Sequence, residues 1–266
     1  MDIKKRNNVS LAGSGDKTIV FAHGFGCDKT VWRQLAETFV HSHRLVLFDL
    51  VGSGGSDLSA YDRQKYSSLQ GYADDLLEIV DDVGGAPVFF VGHSVSAMIG
   101  LLAANTAPDR FAGQIMLGPS ACYVDDEGYR GGFSRADIDD LLDTMDANYL
   151  GWSSAMAPAI MGAPDRPELG KDLANSFCRT DPEIAKHFAR TTFLSDHRAD
   201  LARSSVPTLV VQCSDDLIAP VEVGEFIHQS MPGSRLVVID NIGHCPHLSA
   251  PAASGAAIAR FLAELG

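Results

Sequence analysis

Phe89-Phe90-Val91-Gly92-His93-Ser94-Val95-Ser96-Ala97-Met98 is the stretch that decides the fold. An aromatic and β-branched run meets a serine, and small residues suited to a helix follow at once. The pattern predicts a buried strand turning through Ser94 into a helix. A turn that tight needs small neighbours, because larger side chains there collide with the strand and the helix. Gly92 meets the need on one side. On the other, Ser96 stands where a second glycine is usual, so the pattern reads G-x-S-x-S. The turn lifts the Ser94 hydroxyl clear of the sheet. It also aims the Val95 amide, at a helix N-terminus, toward developing negative charge. This is the setting of a nucleophilic serine.

Outward from the turn, short apolar runs recur at Thr18–Phe21, Leu45–Phe48, Val88–Val91, Ile115–Leu117, Leu209–Val211 and Leu236–Ile239. They are nearly continuously apolar, as strands covered on both faces must be. Helical patterns near 28–40, 69–83, 95–106, 220–230 and 251–264 alternate with them. The alternation predicts a mostly parallel central sheet with helices on both faces. Opening strands are expected within 8–15. The rhythm breaks between Leu117 and about Pro207. Ser134 caps a first helix there, with Ile138, Leu141, Leu142, Met145 and Tyr149 on one face. Trp152, Met156 and Ile160 mark a second, which Pro158 is expected to kink or end. Asp165 with Leu169, Leu173 and Phe177 marks a third, and Asp181-Pro182-Glu183 starts a fourth. Residues 120–195 therefore read as a four-helix cap inserted after the sixth strand, and 1–119 with 196–266 as the core.

The 266 residues are 45% apolar and 21% charged, which suits a globular α/β chain. Lys and Arg number 21 against 34 Asp and Glu, a net charge of −13. That balance repels phosphate backbones and anionic membrane surfaces, so neither nucleic acid nor membrane is expected as a partner. No apolar run is long enough to span a bilayer. The charged opening Asp2–Asn8 does not read as a secretory leader. Five scattered cysteines with no C-x-x-C suggest reduced thiols and cytoplasmic residence.

A serine needs a base, and the base needs an orienting acid. His244 follows a buried run in Asp240-Asn241-Ile242-Gly243-His244-Cys245-Pro246-His247. Its loop opens on the crevice at the carboxyl ends of the strands, where Ser94 also lies. His247 is the rival base, with a surface position its plainer reading. A metal pair of His244 and His247 is disfavoured by the intervening Pro246 and the lack of a third ligand. Asp215 and Asp216 compete as the acid after Leu209–Val211. Asp216 is preferred for its four-residue spacing to Pro220, familiar in hydrolases with this arrangement. Asp215 is left as solvated or turn-forming. The chain order Ser94, Asp216, His244 differs from both protease orders. The loop His23-Gly24-Phe25-Gly26-Cys27-Asp28 offers the Phe25 amide as a second oxyanion donor beside Val95. His23 reads as structural. Gly52-Ser53-Gly54-Gly55-Ser56-Asp57 fails the dinucleotide pattern at Asp57, and with Asp49 it reads as turn scaffolding. Phe25, His93, Phe133, Met145, Tyr149, Trp152, Met156, Phe188, Phe193 and Leu217 are candidates for packing or for lining an apolar pocket over Ser94. No cofactor or metal is called for.

Together with Phe48–Gly54, Gly92–Gly100, Ser195-Asp196-His197-Arg198 and Gly243–Leu248, the His23–Asp28 loop resembles two related groups of α/β-hydrolases. These are the bacterial stress-pathway regulator RsbQ and the plant karrikin and strigolactone receptors. The resemblance covers essentially the whole chain, and the Gly-His-Ser-Val-Ser-Ala-Met elbow is the most specific part of it. It implies an α/β-hydrolase fold and a serine hydrolase with a small hydrophobic pocket under a helical lid. Small apolar esters or butenolide-type lactones would be cleaved through an acyl-enzyme. The alternative it implies is a ligand-responsive signalling regulator that binds a partner protein through its cap, with turnover incidental. Dehalogenation is disfavoured, since that chemistry would want a carboxylate where Ser94 stands.

Overall fold

The computed structural model describes residues 2–85 and 87–266. Seven strands among them form one sheet: β1 (Ser10–Ala12), β2 (Thr18–Ala22), β3 (Arg44–Phe48), β4 (Val88–His93), β5 (Phe111–Leu117), β6 (Thr208–Asp215) and β7 (Arg235–Ile242). Their order is β1-β3-β2-β4-β5-β6-β7. Only β1 runs antiparallel, against β3. The helices are α1 (Ile3–Arg6), α2 (Arg33–Glu37), α3 (Leu69–Val83), α4 (Val95–Thr106), α5 (Arg135–Met161), α6 (Pro167–Arg179), α7 (Pro182–Phe193), α8 (Arg198–Leu201), α9 (Val221–Ser230), α10 (Pro246–Ser249) and α11 (Pro251–Glu264).

Successive strand side chains point to opposite faces, so each continuous apolar run feeds two cores. Val20, Phe90 and Val210 pack in one cluster with α3, α4 and α9. Ile19, Phe89 and Leu209 pack on the other face with Trp32, Leu35, Ile258 and Phe261, from the α2 segment and α11. The expected helix over 28–40 is shorter: a 3₁₀ turn over Lys29–Trp32 leads into α2.

A third cluster lies outside the sheet, in the helical stretch between β5 and β6. This stretch leaves after the fifth strand, not the sixth, because 8–15 contributes a single three-residue strand. Its two ends meet: Cys122 bridges Asp196, and the His197 amide donates to the Ala121 carbonyl at 2.8 Å. Ser134 and Asp137 form a capping box at the start of α5. The first two expected helices run on as α5 and are divided at Asn148, whose φ of −157° and ψ of 80° are not helical. Pro158 does not break the helix. It lies one turn from the end, at Met161, and Gly162 closes the helix in the left-handed region.

Candidate active site

Five loops at the carboxyl ends of β2, β4, β5, β6 and β7 converge on one chamber, as a parallel sheet arranges them. Ser94 lies between β4 and α4 with φ 55° and ψ −122°, a strained conformation for a non-glycine residue costing about 1–3 kcal/mol. Gly92 is required, because a Cβ there would lie 2.6 Å from the Ser96 carbonyl oxygen. Ser96 is fully buried and its hydroxyl donates to the His23 carbonyl at 2.5 Å. The residue in place of the second glycine thus ties the elbow to the loop after β2.

His244 reaches Ser94 from the loop after β7, with Nε2 and Oγ 2.8 Å apart. Its Nδ1 lies 2.8 Å from Asp216 Oδ2. Asp216 Oδ1 accepts the Ile218 and Ala219 amides at 2.8 and 3.1 Å, which fixes the carboxyl group. With Nδ1–H donating to Asp216, Nε2 is left to accept the serine proton. Asp215 is exposed at the end of β6. Among the described residues, neither the Phe25 nor the Val95 amide donates to a protein acceptor.

The chamber has a volume of about 160 Å³ and is almost wholly apolar. Phe25, Phe133, Trp152, Met156 and Phe193 border it, with His93 beside Ser94. Leu217 borders it too and is 54% exposed, which puts it at the rim. Phe25 is the hub: its ring lies 5.7–6.3 Å from those of Phe188, Phe177, Phe193 and Trp152.

Tyr149 and Phe188 do not line the chamber. Tyr149 stacks on Trp152 and donates its hydroxyl to the Phe177 carbonyl at 3.0 Å. Phe188 sits between Phe25 and Tyr72, in the packing that docks α7 on the sheet domain. Sequence reasoning missed Tyr123, Phe177, Leu173 and Ile218, which do face the space. Tyr123 had a signal, since it follows β5, a strand beside β4, on the same crevice. Burial pushes its phenol up to about 12. Cys27 and Cys245 also line the chamber. Burial pushes Cys27 up to about 12, with Asp28 adding to it, and raises Cys245 well above the ordinary range. Both are packing thiols rather than nucleophiles.

Two further buried histidines, His23 and His247, have physical roles of their own. The Leu50 amide donates to His23 Nε2 at 3.1 Å, so Nδ1 carries the proton and donates to the Gly24 carbonyl at 2.8 Å. His23 is a brace. His247 is not a surface residue: it is fully buried, its ring tilted against those of Trp32 and His93 at centroid distances of 4.6 and 4.4 Å. Asp49 accepts from Lys29, Asn8 and Gly55, the work of a turn scaffold.

Karrikin insensitive 2 receptor IA of Petunia hybrida is 40% identical over 250 residues, 94% of this chain and 91% of the relative. Strigolactone esterase D14 of Arabidopsis thaliana is 38% identical over 246 residues, 92% of each. The solved structure of a hydrolase from Oleispira antarctica superposes with a TM-score of 0.95 at 40% identity, covering 98% of this chain and 96% of that one. The model of the Alpha/beta hydrolase family matches residues 19–257, and the chain belongs to that family, related to proteins named karrikin insensitive 2 receptor and strigolactone esterase.

Proposed function

We propose that the protein is a serine esterase for small, largely apolar esters or butenolide-type lactones. The observation that carries this reading is the unbroken hydrogen-bond series Ser94–His244–Asp216, its serine opening into an apolar chamber. In the reaction, Ser94 Oγ attacks the ester carbonyl as His244 Nε2 takes its proton. The Phe25 and Val95 amides receive the charge that develops on the carbonyl oxygen. His244 returns the proton to the leaving alcohol, and an acyl-serine remains. Water, deprotonated by the same imidazole, then releases the acid. Asp216 keeps the imidazole in the working tautomer and stabilises it when charged.

Chamber size sets the substrate class. An apolar cavity of about 150 Å³ accepts benzene, so about 160 Å³ suits one small ring or a short acyl chain. We read residues 120–195 as a cap over this space. The reading includes cytoplasmic residence: all five cysteines are free, and no helix among the described residues is long and apolar enough to cross a membrane. The receptor names of the plant relatives favour a second reading, in which ligand binding under the cap recruits a signalling partner.

Intact-protein mass spectrometry with a fluorophosphonate and a panel of activated esters and butenolides tests the first reading. One adduct is expected on Ser94, or on His244 with a butenolide, and none on Ser94→Ala from the fluorophosphonate. An unlabelled wild-type chain would sink it. A cellular response that survives Ser94→Ala while hydrolysis stops would favour the second reading.

A further inference from the structure

His93 precedes the elbow serine but takes no proton in the reaction above. Its Nε2 lies 2.8 Å from the main-chain carbonyl oxygen of His244. A carbonyl only accepts, so Nε2 carries the ring proton and Nδ1 is bare. Nδ1 is buried and finds no partner among the described residues. The ring is only 2% exposed, and burial, with His247 and His244 adding to it, holds its pKa well below the ordinary histidine range. The ring therefore stays neutral, in the tautomer that donates to His244.

The other side of the same residue is also fixed. The His244 amide donates to the Ile160 carbonyl, in the last turn of α5, at 2.8 Å. The preceding amide, of Gly243, donates to the Asp215 carbonyl at 2.7 Å. Behind His93 lie the tilted rings of His247, at 4.4 Å, and beyond it Trp32, at 4.6 Å from His247. The ring that grips the base is thus backed by buried rings on the core side.

We propose that His93 is a positioning residue whose Nε2–H clamps the carbonyl of His244. With Ile160 on the amide, the clamp sets the angle at which the imidazole meets Ser94. The inference rests on the Ser94–His244–Asp216 reading and adds a role that proton transfer alone does not require. Asp216 orients the imidazole only once the main chain carrying it is placed. Loss of the clamp leaves one face of that residue free to rotate, and a displacement of about 1 Å at a reacting group can cost 10²-fold in rate.

The test compares wild type, His93→Phe and His93→Gln in hydrolysis of p-nitrophenyl acetate, with sites counted by fluorophosphonate titration. His93→Phe keeps a ring but has no donor. Its kcat per titrated site is expected to fall about ten- to a hundredfold, with KM within about twofold. His93→Gln carries an amide N–H at the reach of Nε2 and is expected to recover most of the loss. If His93→Phe does not fold, His93→Asn replaces it, because its amide is too short to reach the carbonyl. Unchanged kcat per titrated site in the donor-less variant overturns the clamp. So does a Gln variant no better than Phe. Failure of wild type itself to titrate overturns the triad reading and the clamp with it.

Discussion

At the scale of single residues, the site is built by hydrogen bonds whose direction can be assigned. Asp216 shows what that buys mechanistically. In Asp216→Asn the Oδ1 position can still accept the Ile218 and Ala219 amides, so the loop should keep its shape. The amide NH₂ would then face His244 Nδ1 and force the ring proton onto Nε2, where it cannot accept from Ser94. A loss in kcat on the order of 10⁴-fold is expected, with the denaturation midpoint little changed. A variant within tenfold of wild type would exclude Asp216 as the orienting acid. Ser96 makes a different point. Its hydroxyl serves the His23 carbonyl, so Ser96→Ala should cost about 1 kcal/mol, read as a lower midpoint in urea. The sequence showed that a small residue was needed there. It did not show the bond, because the His23 carbonyl arrives from another strand.

At the scale of elements, the strand–turn–helix around Ser94 was legible because strand period, small residues and serine all pointed one way. The helices between β5 and β6 were legible as elements, but their lining was not. Tyr149 and Phe188 carry the same apolar signal as Trp152 and Phe193, and only the rotation of each helix separates packing from lining. The division of α5 also differs from the sequence expectation. Pro158 sits in the final turn, while the break falls at Asn148, whose side chain accepts the Gly151 amide at 2.9 Å and starts the second half. The end of α5 matters most. A Cβ on Gly162, at φ 60°, would lie 2.7 Å from Gly243 Cα, next to the base. Gly162→Ala should therefore cost at least about 1 kcal/mol from the left-handed backbone alone, and it should lower kcat by pushing the His244 loop. A variant with unchanged midpoint and kcat would mean that this contact opens freely and that α5 does not support the base.

At the scale of the whole molecule, the sheet order follows from alternating strands and helices, and with it the meeting of five loops at one end. What the sequence does not reveal is that three of the nine histidines (His23, His93 and His247) are buried in one region behind that site. All three have pKa values below the ordinary 6.5, chiefly through loss of water, and His247 falls to about 3. Below pH 6.5 the unfolded chain takes up a proton that buried His247 refuses. The unfolded state then binds more protons, so stability falls as pH falls, from about 6.5 down to about 3. The rate is up to about 1.4 kcal/mol per pH unit for one such group, or about 2 kcal/mol at pH 5. Net charge works the other way, since acid relieves the self-repulsion of a chain at −13. A variant separates the two effects. His247→Phe keeps an aromatic ring between Trp32 and His93 and removes two unpartnered nitrogens. It should be at least as stable as wild type at pH 7 and lose less stability between pH 7 and 5, by about 2 kcal/mol in urea titrations. Parallel curves for the two proteins would show that His247 takes up its proton in the folded state as readily as in the unfolded chain, and that it does not set acid stability.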